Sequence, residues 1–245
     1  MSPQPFKFTT PADWFTRIVN LTVIGIGGTG SEVLANLASI DYAIRELGHP
    51  GLHVTAWDGD IVEPPNIGRQ KFFPADLGQN KAIISVQRIN VLYGLNWSAE
   101  PRRFLPDQGL DSQCDLLISC VDKAKVRAEI GESALNGQAG MLWIDTGNGS
   151  HTGQVILGHL GESDRKATKR LPNVYEFYPE LASMTDNDTP SCSMEEALSN
   201  QDLPINRSIA NVVMQMVWLL LRHGGLNHQG AFIDIRKGAT VPINI

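Results

Sequence analysis

Cysteine, positive charge and long apolar runs are scarce in this chain of 245 residues, and each scarcity excludes a class of protein. The three cysteines form no Cys-x-x-Cys pair, which argues against a disulfide framework and a four-cysteine zinc site and favours a cytoplasmic location. A formal net charge of −6 argues against a nucleic-acid partner. No apolar run reaches the roughly 18 residues of a membrane span, and the first residues lack the apolar centre of a signal peptide, so neither membrane insertion nor export is expected.

Short apolar runs alternate with helical patterns along most of the sequence. Strands are predicted at Asn20–Ile26, Leu52–Trp57, Asp115–Val121, Met141–Asp145, Gln154–Gly158 and Ala231–Ile235, and helices at Ser31–Leu47, Asn80–Leu92, 125–135 and Ile205–His223. This alternation predicts an α/β fold with a doubly wound, Rossmann-like, mostly parallel sheet and helices on both faces. We expect a single domain over residues 1–245. Residues 161–191 are charged, polar and rich in turn formers, which indicates a long mobile excursion.

A glycine-rich turn, GIGGTG, follows the first predicted strand. Gly25, Gly27 and Gly30 have the Gly-x-Gly-x-x-Gly spacing, with Gly28 between them. Such a turn lets phosphate approach backbone N–H groups at a helix N-terminus, where the helix dipole favours anions. The four glycines are therefore candidate nucleotide-binding residues, although a role in packing alone stays open.

A second polar stretch, DGDIVEPPNIGRQ, begins where the strand Leu52–Trp57 ends. Asp58 is placed to accept hydrogen bonds from the two hydroxyls of a ribose. Asp60 is a second candidate, and both acids have turn formation as the alternative role.

The cations and amides that follow suit a longer ligand than a redox dinucleotide. Arg69 offers a planar fork of donors, and Lys81, twelve residues later, offers a point charge. Asn66 adds an amide donor, and Gln70 is predicted to orient its neighbours. Together with Asp58, this register favours a triphosphate that is held along its length.

Two further residues are candidates for chemistry. Asp122 follows a buried strand and is predicted to hold Mg²⁺ against phosphate oxygens, with an N-cap role as the alternative. Cys192 precedes an S-x-x-E capping box, so a helix dipole there would lower its thiol pKa and suit a nucleophile that takes an acyl group. An inert loop cysteine is the other interpretation. Cys114 and Cys120 are expected to be structural, and Arg17 to form a surface salt bridge.

In combination, these motifs resemble the ThiF/MoeB family, the bacterial relatives of ubiquitin-activating enzymes. The resemblance runs over about residues 20–160 and rests on the ordered series GIGGTG, DGD, NIGRQ, GQNKA and CVD. The remainder, including PSCSMEEAL, most resembles the ThiF-like member of the PRTRC gene systems. The chain departs from the family in three ways: Lys123 replaces the usual Asn, the zinc-binding Cys-x-x-Cys pairs are missing, and the N-terminal helix that lends an arginine to the opposite protomer is too short, which leaves Arg17 as the substitute.

The resemblance implies ATP and Mg²⁺ as cofactors, with Asp58 on the ribose, Asn66, Arg69 and Lys81 on the phosphates and Asp122 on the metal. It also implies a homodimer that adenylates the C-terminal carboxylate of a small ubiquitin-like or sulfur-carrier protein, with Cys192 as a possible thioester site. Three alternatives stay open: an NAD-dependent oxidoreductase, a non-catalytic ATP-binding adaptor subunit, and activation of a nucleobase or peptide carboxamide. The oxidoreductase leaves Asn66, Arg69 and Lys81 without a role.

Overall fold

The structure, a computed structural model, describes residues 6–106, 113–133, 141–161, 170–184 and 198–245. The strands are β1 Phe8–Thr9, β2 Val19–Ile24, β3 Leu52–Trp57, β4 Ser98–Glu100, β5 Leu116–Ser119, β6 Met141–Asn148, β7 Thr152–Leu160, β8 Gly225–Leu226, β9 His228–Asp234 and β10 Ala239–Asn244. The α-helices include α1 Gly28–Glu46, α2 Lys81–Tyr93, α3 Ala124–Ser133, α4 Val174–Phe177 and α5 Ile205–Trp218. Short 3₁₀ turns lie at Ala12–Phe15, Pro64–Asn66, Pro74–Asp76 and Pro179–Ala182.

Eight of the strands form one sheet in the order β10-β9-β7-β6-β5-β2-β3-β4. The four pairings from β4 to β6 are parallel, and the three from β6 to β10 are antiparallel. The predicted mostly parallel α/β sheet is therefore confirmed, with an antiparallel extension at one side. β6 and β7 are antiparallel because only three residues join them, whereas a parallel crossover needs about a dozen.

The centre of the sheet is buried on both faces. In β2, the side chains of Val19, Leu21, Val23 and Ile24 are all at most 2% exposed, which explains the continuous apolar run in the sequence. α1 buries one face through Val33, Leu34, Leu37, Ile40 and Ile44 and packs against α5.

The helix predicted at Ile205–His223 is confirmed. α5 runs to Trp218 and continues as a π-helical turn over Leu219–His223. It ends at Gly224, whose φ of 83° belongs to the left-handed region that glycine adopts freely. Among the described residues, none of the helices combines the length and apolar character that a membrane span requires.

Part of the predicted excursion is packed against the sheet. Within 170–184, α4 is capped by Asn173, whose side chain accepts hydrogen bonds from the N–H groups of Tyr175 and Glu176. Leu171, Val174 and Leu181 are buried. The rest of 161–191 lies mostly outside the described residues, so its mobility stays a prediction.

Candidate nucleotide-binding site

The carboxyl ends of the parallel strands border a cleft of about 390 Å³. This is the edge at which open α/β sheets bind ligands, and the volume falls within the range of about 300–1,000 Å³ found for small-molecule sites. The lining residues come from the glycine turn, from the segments after β3, β5 and β6, and from the start of α5. They include Gly25, Gly27, Gly28, Thr29, Asp58, Asp60, Arg69, Gln70, Lys81, Asp122, Asn148, Gln201 and Asn206.

The glycines of the turn have different roles. Gly25 has a φ of +80°, and a Cβ there would lie 2.8 Å from the carbonyl oxygen of Cys120. A Cβ on Gly30 would overlap the Gly25 carbonyl oxygen, so these two glycines allow the strand, the turn and α1 to pack closely. Gly27 instead borders the cleft, and the nearest atom to its Cβ position is Gln70 Nε2 at 3.9 Å. Gly25 and Gly30 therefore have a packing role, Gly27 leaves room for a ligand, and the nucleotide contacts of the turn stay a prediction.

Asp58 is fixed at the end of β3 by the backbone of the glycine turn. Its Oδ2 accepts a hydrogen bond from the N–H of Ile26 at 2.6 Å, and its Oδ1 accepts one from the N–H of Asp60 at 2.8 Å. Burial raises the pKa of the Asp58 carboxyl, and the two N–H donors and Lys81 oppose that rise. Each oxygen keeps a lone pair, so the carboxylate can still accept hydrogen bonds from hydroxyl groups.

Lys81 is the first residue of α2, and its side chain is only 10% exposed. Its Nζ lies 3.1 Å from Oδ2 of Asp60. Asp60 itself is largely exposed, with 75% of its side chain accessible. Asp60 therefore orients the lysine at the cleft, and its own contact with a nucleotide stays a prediction.

Arg69 is a half-buried cation with few partners. Its Nη1 donates to Oε1 of Gln201 at 3.3 Å, whereas its Nε is buried and has no hydrogen-bond partner among the described residues. Burial lowers the pKa of the Arg69 guanidinium, and the Asp122 carboxylate opposes that change. A buried donor without a partner is costly, so this geometry favours an anionic ligand.

Helix N-termini add to the positive potential of the cleft. α1 begins at Gly28, α2 begins at Lys81, and Asn206 lies in the first turn of α5. All three residues line the cleft. Because unpaired N–H groups concentrate partial positive charge at a helix start, the three helices favour a negatively charged ligand.

One wall of the cleft is apolar. Trp57 and Phe104 pack edge to face, with ring centroids 5.5 Å apart and planes at 88°. Ile24 and Val126 belong to the same buried cluster, and all four residues line the cleft. The cleft thus combines an apolar wall with a cationic region, as a nucleotide requires for its base and its phosphates.

Asp122 lies exposed at the cleft, beyond the end of β5. A buried arginine holds the adjacent backbone: Nη2 of Arg127 donates to the carbonyl oxygens of Val121 and Thr146, and its Nε donates to Oδ1 of Asp145 at 3.0 Å. The described residues contain no group of three or more His, Cys, Asp or Glu that could hold a metal by itself. A cation at Asp122 would therefore need ligand oxygens as well, which fits Mg²⁺ bound together with phosphates.

The two predicted amide residues differ in position: Gln70 lines the cleft, and Asn66 lies outside the described lining. Asn66 is buried and is absent from the described residues that line the cleft; its Oδ1 accepts from the N–H of Glu63 and caps the turn Pro64–Asn66. Its phosphate contact stays a prediction. Gln70 lines the cleft, and its buried Oε1 has no partner among the described residues.

The cysteines and Arg17 are placed as follows. Burial raises the pKa of Cys120 to about 12, which agrees with the structural role predicted for this residue. Cys192 lies outside the described residues. Arg17 forms the predicted salt bridges, at 2.8 Å to Asp13 and 2.6 Å to Asp115.

Sequence reasoning did not identify Thr29, Asn148, Gln201 and Asn206 as parts of the cleft. Thr29 belongs to the recognised glycine turn and could have been found there. The other three are isolated polar residues far along the chain, and only the fold brings them to the site.

Comparison with known proteins identifies the family and the fold of the chain. The profile of the ThiF family matches residues 16–232. The crystal structure of selenomethionine PaaA aligns with a TM-score of 0.62 at 17% identity, over 93% of this chain and 64% of the PaaA chain, so the chain spans just under two thirds of that protein. This likeness concerns the fold alone. No curated protein matches the sequence. Because the family profile covers most of the sequence, the chain belongs to the ThiF family.

Proposed function

We propose that the chain is an ATP-dependent adenylyltransferase that activates the C-terminal carboxylate of a small ubiquitin-like or sulfur-carrier protein. Membership of the ThiF family supports this class of activity in general. The observation that carries the proposal is the partly buried Arg69 in the cleft, with an unpaired Nε and with Lys81 lining the same cavity. A triphosphate supplies anionic oxygens to the unpaired Nε of Arg69, and Lys81, which Asp60 orients at the same cleft, is placed to contact them as well.

Different parts of the cleft suit the base, the ribose and the phosphates of ATP. The wall formed by Trp57 and Phe104 suits the base, and the Asp58 carboxylate suits the ribose hydroxyls. Arg69 and Lys81 suit the phosphates. An NAD-dependent oxidoreductase would use the glycine turn and Asp58 but would leave both cations without a function.

Asp122 would hold Mg²⁺, and the donor set fits that ion because a single carboxylate leaves most coordination positions to phosphate oxygens and water. When bound, Mg²⁺ supplies charge neutralisation at the phosphates. The contribution of the chain is to fix Asp122, and Arg127 does so through the neighbouring Val121 carbonyl.

In the reaction, a carboxylate oxygen attacks the α-phosphorus of ATP. The bond from that phosphorus to the bridging oxygen breaks, which gives an acyl-adenylate and releases pyrophosphate. Arg69 and Lys81 hold the phosphates and stabilise the charge that moves onto the leaving group. This step requires no covalent bond to the protein.

A neighbouring cavity gives the carboxylate a route to the cleft. It has a volume of about 690 Å³ and meets the cleft at Asp122 and Asn148. Tyr178, Leu181 and Phe232 are among the residues that line it. We infer that the C-terminal segment of the carrier protein lies in this cavity, with its carboxylate directed to the α-phosphate.

Transfer of the acyl group to Cys192 is a further step that rests on the sequence alone. The thiol would displace AMP and form a thioester. A carrier adduct that dithiothreitol removes is expected for the wild type and not for Cys192→Ala. If Cys192→Ala still forms such an adduct, the assignment is wrong.

Exchange of labelled pyrophosphate into ATP tests adenylation. The purified protein, incubated with Mg²⁺, ATP and each small protein encoded beside it, is expected to exchange label with one partner and not with that partner lacking its last residue. A protein that binds ATP but exchanges with none of them would be an adaptor subunit. Stabilisation by NAD instead of ATP in thermal unfolding would indicate the oxidoreductase.

A further inference from the structure

Asn206 joins several parts of the cleft through one buried amide. The residue is 2% exposed and lies in the first turn of α5. Its Oδ1 accepts hydrogen bonds from Thr29 Oγ1 at 3.0 Å and from Asn148 Nδ2 at 2.8 Å. Its Nδ2 donates to Gln201 Oε1 at 3.0 Å. All three partners line the cleft, so Asn206 connects the glycine turn, the end of β6 and the segment before α5.

The same amide explains why residue 28 is a glycine. A Cβ on Gly28 would overlap Nδ2 of Asn206 and would lie 2.7 Å from its Cγ. The Asn206 side chain cannot move aside without losing the hydrogen bonds that hold it. The missing side chain of Gly28 therefore accommodates Asn206, in contrast to Gly27, which borders the cleft.

The donors and acceptors of this network permit one orientation. The Arg69 guanidinium can only donate, so Gln201 must present its oxygen to Nη1 of Arg69, at 3.3 Å. Asn206 donates to that oxygen through its NH₂ group and therefore turns its own oxygen towards the Thr29 hydroxyl and the Asn148 amide, which both donate to it. The buried network thus ends at the cation of the cleft.

We propose that Asn206 and Gln201 are positioning residues for the phosphate end of the nucleotide. Asn206 holds the Thr29 turn against Asn148, and through Gln201 it sets the direction of the Arg69 guanidinium. Phosphate oxygens carry a negative charge that the neutral Gln201 amide lacks, so they replace Gln201 as the partner of Arg69 when the ligand binds. The inference rests on the proposed function, because it takes a triphosphate as the ligand.

Paired measurements with ATP and adenosine test this role, because adenosine has no phosphate. Affinities are measured with Mg²⁺ by displacement of a fluorescent ATP derivative. In Asn206→Ala, the affinity for ATP is expected to fall at least about tenfold, the equivalent of one charge-assisted hydrogen bond, while that for adenosine stays within about twofold of wild type. Gln201→Glu keeps the acceptor but gives Arg69 a competing carboxylate, and we expect the same split.

Asn36→Ala is the matched control. Nδ2 of Asn36 donates to the carbonyl oxygen of Ala210 at 3.2 Å and so also joins α1 to α5, and Asn36 is not among the described residues that line the cleft. Its affinities for both ligands are expected to equal those of the wild type.

Three results would overturn the positioning role: a parallel loss of adenosine and ATP binding in Asn206→Ala, ATP binding of wild-type strength in Gln201→Glu, or the same split in Asn36→Ala. If Asn206→Ala does not fold, Gln201→Glu decides alone, since it leaves no cavity. A wild-type protein that binds no ATP would instead refute the proposed function.

Discussion

Replacement of Arg69 by methionine should stabilise the free protein and remove most of its response to ATP. Methionine keeps an unbranched, apolar side chain in the half-buried position and removes the buried Nε that lacks a partner among the described residues. It also removes the 3.3 Å hydrogen bond to Gln201. The sign of the stability change depends on which of these two effects is larger.

The unpaired donor is the larger effect. Leaving a buried donor of a charged group without a partner costs more than the roughly 1–3 kcal/mol of a neutral group, whereas the long hydrogen bond from the guanidinium to Gln201, at 3.3 Å, contributes about 1.5 kcal/mol, the low end of the range for charged groups. The net gain for Arg69→Met is therefore about 1 kcal/mol, which corresponds to a rise in Tm of about 2–4 °C for a chain of this length. At an ATP concentration about 100 times Kd, the wild type should gain about 2.7 kcal/mol, or roughly 5–10 °C.

Thermal unfolding with and without Mg²⁺ and ATP measures both effects. Arg88→Met is the matched control, because it also removes a guanidinium hydrogen bond, in this case the 2.6 Å ion pair with Asp76, and Arg88 is not among the described residues that line the cleft. The control should have a lower Tm than the wild type and an undiminished ATP shift. An Arg69→Met protein that is less stable than the wild type and keeps the full ATP shift would refute the reasoning.

Three further predictions concern the acids of the site and the support beneath it. Asp122→Asn should abolish the strengthening of ATP binding by Mg²⁺ while binding without the metal changes little; an unchanged Mg²⁺ dependence in titration calorimetry would refute the metal role. Burial raises the pKa of Asp58 above its ordinary value of 3.8, so the protonated carboxyl stabilises the folded protein, and this stabilisation is lost as the pH rises from 3.8 through the raised pKa. Asp58→Asn has no such group, so its free energy of unfolding should increase relative to that of the wild type over the same rise in pH. Urea denaturation across the acidic range measures this difference, and the opposite slope would contradict it. Arg127→Leu leaves Asp145 as a buried charge without its ion-pair partner and should lower the free energy of unfolding, measured by urea denaturation, by about 3–5 kcal/mol. A decrease of less than about 1 kcal/mol would show that the ion pair contributes little.

The sequence predicts well where the glycine turn and the segment after β3 lie in the fold, for a physical reason. Gly27 and Asp58 follow the parallel strands β2 and β3, which are neighbours in the sheet, so their carboxyl ends must lie together. Lys81 follows because it begins the next helix. Local apolar periodicity suffices to predict these elements, and the topology of such sheets then places the residues.

The antiparallel part of the sheet was harder to predict. β10 follows a turn after β9 and contains Pro242, a residue that lacks the backbone donor of a ladder and is confined to edge positions. Within the part of the chain that the structure describes, β10 is paired on one side only, so it tolerates the proline.

The amide network could not be predicted because its residues act through distant partners. Asn206 and Thr29 are 177 positions apart, and no local pattern distinguishes Asn206 from a solvated asparagine. Asn66 has a local role that its residue type did not predict, since its Oδ1 accepts a hydrogen bond from the N–H of Glu63, while its phosphate contact stays a prediction.

A structure of the protein crystallised with Mg²⁺ and a non-hydrolysable ATP analogue measures the occupancy of the cleft directly. Phosphate oxygens are expected within hydrogen-bond distance of both Arg69 and Lys81, with the ribose at Asp58. An analogue bound elsewhere, or bound in the cleft with both cations turned away from its phosphates, would contradict a nucleotide site at this edge of the sheet.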